Sequence, residues 1–392
     1  MIDYFKKKLE ILLDSALEPV WKWLMASSRQ VKIAILLVSG LLFYVVTYPD
    51  TVESLYIKTN SIAKVLFSAP DVVPLAGDIV KESRSTVTRL SKTVSGDLLK
   101  LNVSNLVPWS AAQALMSVAG ADSTVIDKDA IVSFIRSNTV PGCACWTELP
   151  KNASDAQCIF ISGWVMAAFA DAGVPVTSEE LRYALDAQDQ DGWWPTFHIM
   201  KYPNYASTYS TAWILIGLLR QKEKGFINKR DTVTVDNAIA RATGWLLSAR
   251  GKGARWKSYP KLNVNTESES ISGLVLHALH LSVPGQVASI DREWLESLPF
   301  KAVGASDGEN YYIDMKSKDF EAIDHFVQLK APWMMIATVD AYASGTTFQR
   351  AKALRWLEAT LGHESYSVAD ADEKNWWRAE LLYGMRYVLK SM

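Results

Sequence analysis

Clusters of acidic residues stand at two points where an apolar helical pattern begins. Asp370, Asp372 and Glu373 precede the last such pattern of the chain, and Glu267 and Glu269 open an earlier one. Neighbouring carboxylates raise one another's pKa, which makes such clusters candidates for acid chemistry. Carboxylates also stabilise the first turn of a helix through the helix dipole. We expect both clusters to act as helix caps.

The chain contains only five histidines and three cysteines. Cys143 and Cys145 are separated by one residue, Cys158 follows without a second close pair, and His277 and His280 lie three residues apart. This spacing is unlike that of known zinc sites, and we predict no metal and no cofactor. We expect buried or loop thiols. A disulfide that involves Cys158 is the alternative, and it requires an oxidising compartment.

The stretch around Gln188 has the form of a repeated unit. Thr177 and Glu180 form a capping-box pattern ahead of an amphipathic helix. Gln188, Gly192 and Trp194 then follow as Q-x-x-x-G-x-W. The glycine permits a positive φ. The tryptophan side chain can then fold back and pack as an apolar plug against the preceding helix. This unit therefore predicts a helix, a fixed loop and the start of a new helix.

Two kinds of helical pattern alternate along the chain, and strand signals are almost absent. Nearly all-apolar patterns, typical of buried inner helices, begin near Trp109, Ala156, Ser207, Ser268, Ala331 and Asn375. Amphipathic patterns, typical of outer helices, cover Lys128–Arg136, Ser178–Gln188, Asp236–Arg250, Asp291–Leu298 and Thr347–Leu361. We predict an all-α fold of helical hairpins arranged around a centre, as an open solenoid or a closed toroid.

These features resemble the terpenoid cyclases and protein prenyltransferases, whose α/α toroids carry repeats with a Q-x-x-x-G-x-W signature. Gln188, Gly192 and Trp194 match the signature in full, and Trp256 and Trp146 mark two degenerate copies. The resemblance implies an α/α toroid. Related helical toroids serve several unrelated functions, so the fold alone does not assign an activity.

The resemblance also implies two chemistries. Relatives similar to squalene–hopene cyclase use a D-x-D-D motif to protonate an alkene, which would make Asp372 the proton donor, assisted by Asp370 and Glu373. Here Lys374 and Arg378 follow, and glutamate replaces the last aspartate. Prenyltransferases bind zinc through Asp, Cys and His, and this chain lacks a suitably spaced set.

Aromatic residues on the inner helices have two possible roles. They could line a cavity and stabilise a carbocation by cation–π contact, or they could fill the centre by packing, which is commoner for buried tryptophans. Together with His277, Glu267 and Glu269 they are the candidate ligand-binding residues. The aromatic candidates are Trp164, Trp213, Trp333, Trp376, Trp377 and Tyr383.

The N-terminal part of the chain differs in composition from the rest. Residues 33–48 are uncharged and nearly reach the roughly 20 residues that a bilayer requires. Lys22, Arg29 and Lys32 precede them, which favours a cytoplasmic N-terminus and an extracytoplasmic toroid. We predict an amphipathic segment at 1–30, a transmembrane anchor at 31–48, a stalk at 49–105 and the toroid at 106–392.

The composition of the chain argues against a nucleic-acid-binding protein. The 392 residues carry a net charge of −1 and 49% hydrophobic residues, which gives no basis for binding nucleic acid. We expect the membrane as one partner, together with a lipid-like or isoprenoid ligand or a protein partner bound through the cavity or rim. A weaker alternative is self-association driven by the stalk and the N-terminal helix. We expect a non-catalytic protein. The alternative is a membrane-associated isoprenoid cyclase or prenyltransferase.

Overall fold

The chain divides into two compact units, Met1–Pro70 and Asp71–Met392. A computed structural model describes only residues of the second unit, namely 77–96, 108–119, 127–140, 143–146, 159–196, 205–251, 255–261, 267–283, 295, 309–316, 321–328, 330–341 and 374–391. Among these residues no helix is both long and apolar enough to cross a bilayer. The predicted anchor at 31–48 lies outside them, as do the amphipathic segment at 1–30 and most of the stalk.

The described chain is mainly helical, which confirms the all-α class. Its helices are α1 (77–96), α2 (Pro108–Val118), α3 (Lys128–Ser137), α4 (Ile159–Ala172), α5 (Ser178–Asp186), α6 (Thr208–Glu223), α7 (Thr232–Ser248), α8 (Glu269–Ser282), α9 (Lys330–Ala341) and α10 (Lys374–Ser391). The predicted outer helix at 347–361 lies outside the described residues, and only Leu295 of the one at 291–298 is described.

Burial separates inner helices from outer helices, as the sequence patterns predict. The inner helix α4 buries every residue from Ile159 to Ala170. The outer helix α5 buries only Glu180, Leu181 and Ala184, which lie on one face. The predicted capping box is present at its start, since Thr177 accepts from the Glu180 amide and the Glu180 carboxylate accepts from the Thr177 amide.

The inner helices pack in chain order. Helix α2 packs against α4, α4 against α6, α6 against α8, α8 against α9, α9 against α10, and α10 against α2. The outer helices pack on this set, with α3 against α2, α5 against α4, and α7 against both α6 and α8. Each inner helix therefore has two inner neighbours, and the last of the six contacts the first.

Glycines permit close approach where inner helices cross. A Cβ added to Gly163 of α4 would lie 2.5 Å from the carbonyl carbon of Trp213 in α6. A Cβ on Gly273 of α8 would lie 2.8 Å from the carbonyl carbon of Trp333 in α9. Both distances are shorter than carbon atoms tolerate, so these crossings require residues without a side chain.

Within the described residues, three pairs of antiparallel strands accompany the helices. Two are short: β1 (Trp194–Pro195) pairs with β2 (Ala206–Ser207), and β3 (Trp256–Lys257) pairs with β4 (Glu267–Ser268). The third joins β5 (Glu309–Lys316) to β6 (Glu321–Gln328), with Glu309 opposite Gln328.

Strands β5 and β6 form at a place where the sequence analysis identified no strand signal. Both segments are rich in the aromatic and β-branched residues that favour strands, but no glycine or proline separates them, so the usual turn signal is missing.

Candidate functional site

Three tryptophans tie the loops between helices to the preceding outer helix. Each buried indole N–H donates to the carbonyl of the residue two positions before the end of α3, α5 or α7. The bonds join Trp146 to Ile135 (2.8 Å), Trp194 to Ala184 (2.6 Å) and Trp256 to Leu246 (2.8 Å). The degenerate copies of the motif are therefore structurally equivalent to the complete one.

A second bond ties two of these loops to the following inner helix. The backbone amide of Trp194 donates to Thr211 Oγ1 (2.9 Å), and that of Trp256 donates to Ser272 Oγ (2.9 Å). Each hydroxyl donates in turn to the carbonyl of its helix N-cap residue. The predicted plug is thus fixed on both sides, to the outer helix before it and the inner helix after it.

Gln188 and Gly192 join α5 to the next outer helix. The Gln188 amide donates to the carbonyls of Gly192 and Ala238, each at 3.0 Å, and its oxygen accepts from Arg241 at 2.5 Å. Gly192 has the predicted positive φ, 103°, and an added Cβ there would overlap the Arg241 carbonyl. The motif residues Gln188, Gly192 and Trp194 therefore hold the repeat together.

Aromatic rings from several inner helices form one layer. The Trp164 and Trp213 centroids are 5.4 Å apart, those of Trp213 and Trp333 are 5.2 Å apart, and those of Trp333 and Tyr383 are 6.2 Å apart. All four residues are buried. Helices α6 and α9, which carry Trp213 and Trp333, are not consecutive in the packing order. Their rings therefore meet between the inner helices, and we refer to these four residues as the aromatic layer.

The indole N–H groups of this layer are not hydrogen bonded. The Nε1 atoms of Trp164, Trp213 and Trp333 are buried and have no hydrogen-bond partner, and the same is true of both amide atoms of Gln113 on α2. Two of the ring contacts are close to perpendicular, at 84° and 86°. An edge-to-face arrangement lets a neighbouring ring face act as a weak acceptor, so these N–H groups belong to packed rings.

A charged layer lies two helical turns further along the inner helices. One charged residue follows each of Trp164, Trp213 and Trp333 by seven residues, a spacing that keeps both on the same helix face. The sequence predictions missed these residues, although an isolated charge near the end of an apolar helix could have indicated them. They are Asp171, Arg220 and Asp340.

Arg220 joins three inner helices in this layer. It forms an ion pair with Asp171 of α4 and donates to the Tyr383 hydroxyl of α10. Burial raises the pKa of Tyr383 to about 12, against a smaller opposing effect of Arg220. Burial alone would lower the pKa of Arg220, but Tyr383 and Asp171 outweigh it and the pKa rises. The guanidinium therefore stays charged and the phenol stays protonated at neutral pH.

Asp340 organises a second network in the same layer. Its Oδ2 lies 2.7 Å from His277 Nδ1, its Oδ1 accepts from the Tyr387 hydroxyl at 2.6 Å, and His280 Nε2 lies 3.8 Å from Oδ1. Burial and the adjacent carboxylate raise the pKa of Tyr387. A carboxylate that orients an imidazole also occurs in general bases, but His277 is fully buried and its Nε2 has no partner. The predicted ligand residue His277 thus lies inside a structural network.

The remaining predicted site residues lie outside the aromatic layer and the charged layer, or outside the described residues. Glu267 lies in β4, where its carboxylate is 3.9 Å from Arg255 Nε, and Glu269 stands in the first turn of α8. Trp376 and Trp377 belong to α10, for which the structure describes the backbone at these positions. Asp370, Asp372 and Glu373 lie outside the described residues. The described part of the chain contains no group of three His, Cys, Asp or Glu side chains that could hold a metal.

The cysteines differ from the prediction of reduced thiols. Cys143 and Cys145 form a disulfide, with their Cα atoms 5.2 Å apart, so that prediction is wrong for both residues. The Val140 amide also donates to the Cys145 carbonyl at 2.9 Å. Cys158, which the alternative prediction involved, lies outside the described residues.

Comparison with known proteins adds no relative to this picture. No family model matches the chain, and no curated protein matches it significantly. The functional assignment therefore depends on the geometry described above, in which the loop motif fixes the repeats and two side-chain layers occupy the space between the inner helices.

Proposed function

We propose that residues 106–392 form an α/α toroid similar to that of the terpenoid cyclases. Two observations support this proposal. The six inner helices contact one another in chain order and α10 contacts α2. Three tryptophans also make the same bond to the end of an outer helix, as expected for copies of one repeat.

We further propose that this toroid is a non-catalytic binding module, held at a membrane by residues 31–48. The observation that carries the proposal is the series of ring contacts from Trp164 through Trp213 and Trp333 to Tyr383, which places packed side chains between these inner helices. A lipid-like ligand or a protein partner would then bind at the rim of the toroid.

The energetics of packing favour this proposal. Exposing one large apolar side chain costs about 3 kcal/mol, so a substrate cavity opened among these rings would cost several times that amount. The charged layer adds to this cost, because Arg220 and Asp340 each lose buried partners when their helices separate. A cyclase site requires a dry cavity that exists before the substrate binds.

Turnover of isoprenoid substrates tests the absence of catalysis. Detergent-solubilised full-length protein is incubated with radiolabelled farnesyl diphosphate, geranylgeranyl diphosphate and squalene, and the products are separated chromatographically. We expect every substrate to be recovered unchanged by both the wild type and Asp372→Asn. A cyclised or transferred product that disappears in Asp372→Asn would refute the proposal and favour the enzyme alternative.

A further inference from the structure

The disulfide between Cys143 and Cys145 stands in the loop that leads to Trp146. The two half-cystines differ in accessibility, since Cys145 is fully buried and Cys143 is partly exposed. Of the two residues, Cys143 is therefore the one that a thiol in solution can approach.

This disulfide does little to stabilise the fold as a whole. A disulfide restricts the unfolded chain more as the loop it closes becomes longer, and here one residue separates the two cysteines. Backbone bonds already form the turn, because the Cys143 amide donates to the Val140 carbonyl at 3.1 Å and the Val140 amide donates to the Cys145 carbonyl at 2.9 Å. The stability of the turn therefore depends little on the disulfide, which leaves the bond free to open and close.

We propose that Cys143 and Cys145 form a redox-active site that exchanges with thiols. A thiolate attacks the accessible Cys143 sulfur, the bond between the two cysteines breaks, and Cys145 leaves as a thiolate that takes up a proton. A second thiolate attacks the sulfur of the incoming group in the mixed disulfide and releases Cys143. The pair gains two electrons, and two thiols are oxidised to one disulfide.

The redox state of this cysteine pair affects the end of helix α3. Trp146 follows Cys145 directly, and its indole N–H closes the end of α3 by donating to Ile135 at 2.8 Å. Reduction removes the covalent constraint beside this plug and leaves the turn to its backbone hydrogen bonds alone, so the end of α3, which packs on the inner helix α2, opens more often.

Exchange with glutathione tests the proposal. Full-length protein carrying Cys158→Ser is equilibrated in detergent with reduced and oxidised glutathione in varying ratio, without denaturant, and new thiols are trapped with a maleimide and counted by mass spectrometry. We expect both thiols to appear together and to disappear again in excess oxidised glutathione. A pair that excess reduced glutathione leaves intact until denaturant is added would overturn the proposal, as would a pair found already reduced after purification without reductant.

Two single variants locate the attacked sulfur. With oxidised glutathione, Cys145→Ser should form a mixed disulfide at Cys143, and Cys143→Ser should react roughly tenfold more slowly because the remaining thiol is buried. Equal rates would contradict the assignment.

Hydrogen exchange in α3 should rise on reduction of the parent protein and stay unchanged when the double variant Cys143→Ser/Cys145→Ser is treated identically. Unchanged exchange in both proteins would remove the link to Trp146.

Discussion

At the scale of single residues, the buried carboxylate of Asp340 connects three inner helices. It binds His277 and Tyr387, and all of these contacts lie between helices α8, α9 and α10. A surface ion pair of the same length, from Lys222 to Asp236 at 2.7 Å, has both side chains about half exposed. The two pairs allow burial to be compared at equal distance.

We expect Asp340→Ala to lower the free energy of unfolding by about 3 to 5 kcal/mol, because it leaves buried polar partners unsatisfied. Asp236→Ala should cost less than about 1 kcal/mol, since water screens an exposed pair and replaces it. Chemical denaturation of the two variants measures both values. Similar losses would show that the Asp340 network is solvated and not buried.

Tyr383 gives a prediction about pH. Its pKa rises from 10.0 to about 12 because it is buried, so the folded protein holds the proton more tightly than the unfolded chain does. The phenol therefore stabilises the folded state below pH 10, and this contribution, on the order of 2 kcal/mol, is lost as the pH rises towards 12. Chemical denaturation at several pH values measures this effect. Between pH 10 and 12 the free energy of unfolding should fall less steeply for Tyr383→Phe than for the wild type. Parallel curves would contradict a buried phenol.

At the scale of helices, crossings at glycine fix how closely the inner helices pack. Gly163 leaves no room for a Cβ against the Trp213 backbone, whereas an added Cβ on Gly244 of the outer helix α7 meets nothing within 4 Å. We expect Gly163→Ala to destabilise the protein by about 1 to 3 kcal/mol through overpacking. Gly244→Ala should stabilise it by up to about 1 kcal/mol through helix propensity. Thermal denaturation distinguishes the two, and a neutral Gly163→Ala would mean that α4 and α6 lie further apart.

Local patterns could predict the helices and the repeat. The capping box at Thr177, the positive φ of Gly192 and the Trp194 plug all follow from short-range rules, and the structure contains each of them. Helix ends were less accurate: α5 ends at Asp186, two residues before its predicted end, and α7 begins at Thr232, four residues before its predicted start.

Contacts between distant segments could not be predicted in the same way. Arg220 and Tyr383 are far apart in the chain, and no periodicity pairs them. Aromatic residues on inner helices could be identified, but whether their rings line a cavity or touch one another depends on how closely the helices approach. That distance is set by glycines whose partners lie on other helices.

At the scale of the molecule, the side chains between the inner helices form two layers. The residues of the aromatic layer are buried, and the charged layer links helices through Arg220 and Asp340. In the function we propose, this packed interior serves as a rigid scaffold, and a ligand or partner binds at the rim. The proposed anchor at 31–48 would hold that scaffold beside a membrane.

The contact between Trp213 and Trp333 tests this account most directly, because the two rings belong to helices that are not neighbours in the packing order. A double-mutant cycle compares Trp213→Leu, Trp333→Leu and the combined variant by chemical denaturation. For rings packed against each other we predict a coupling free energy of about 0.5 to 1.5 kcal/mol. Additive effects, with no coupling, would mean that a cavity separates the rings and would contradict the packed interior.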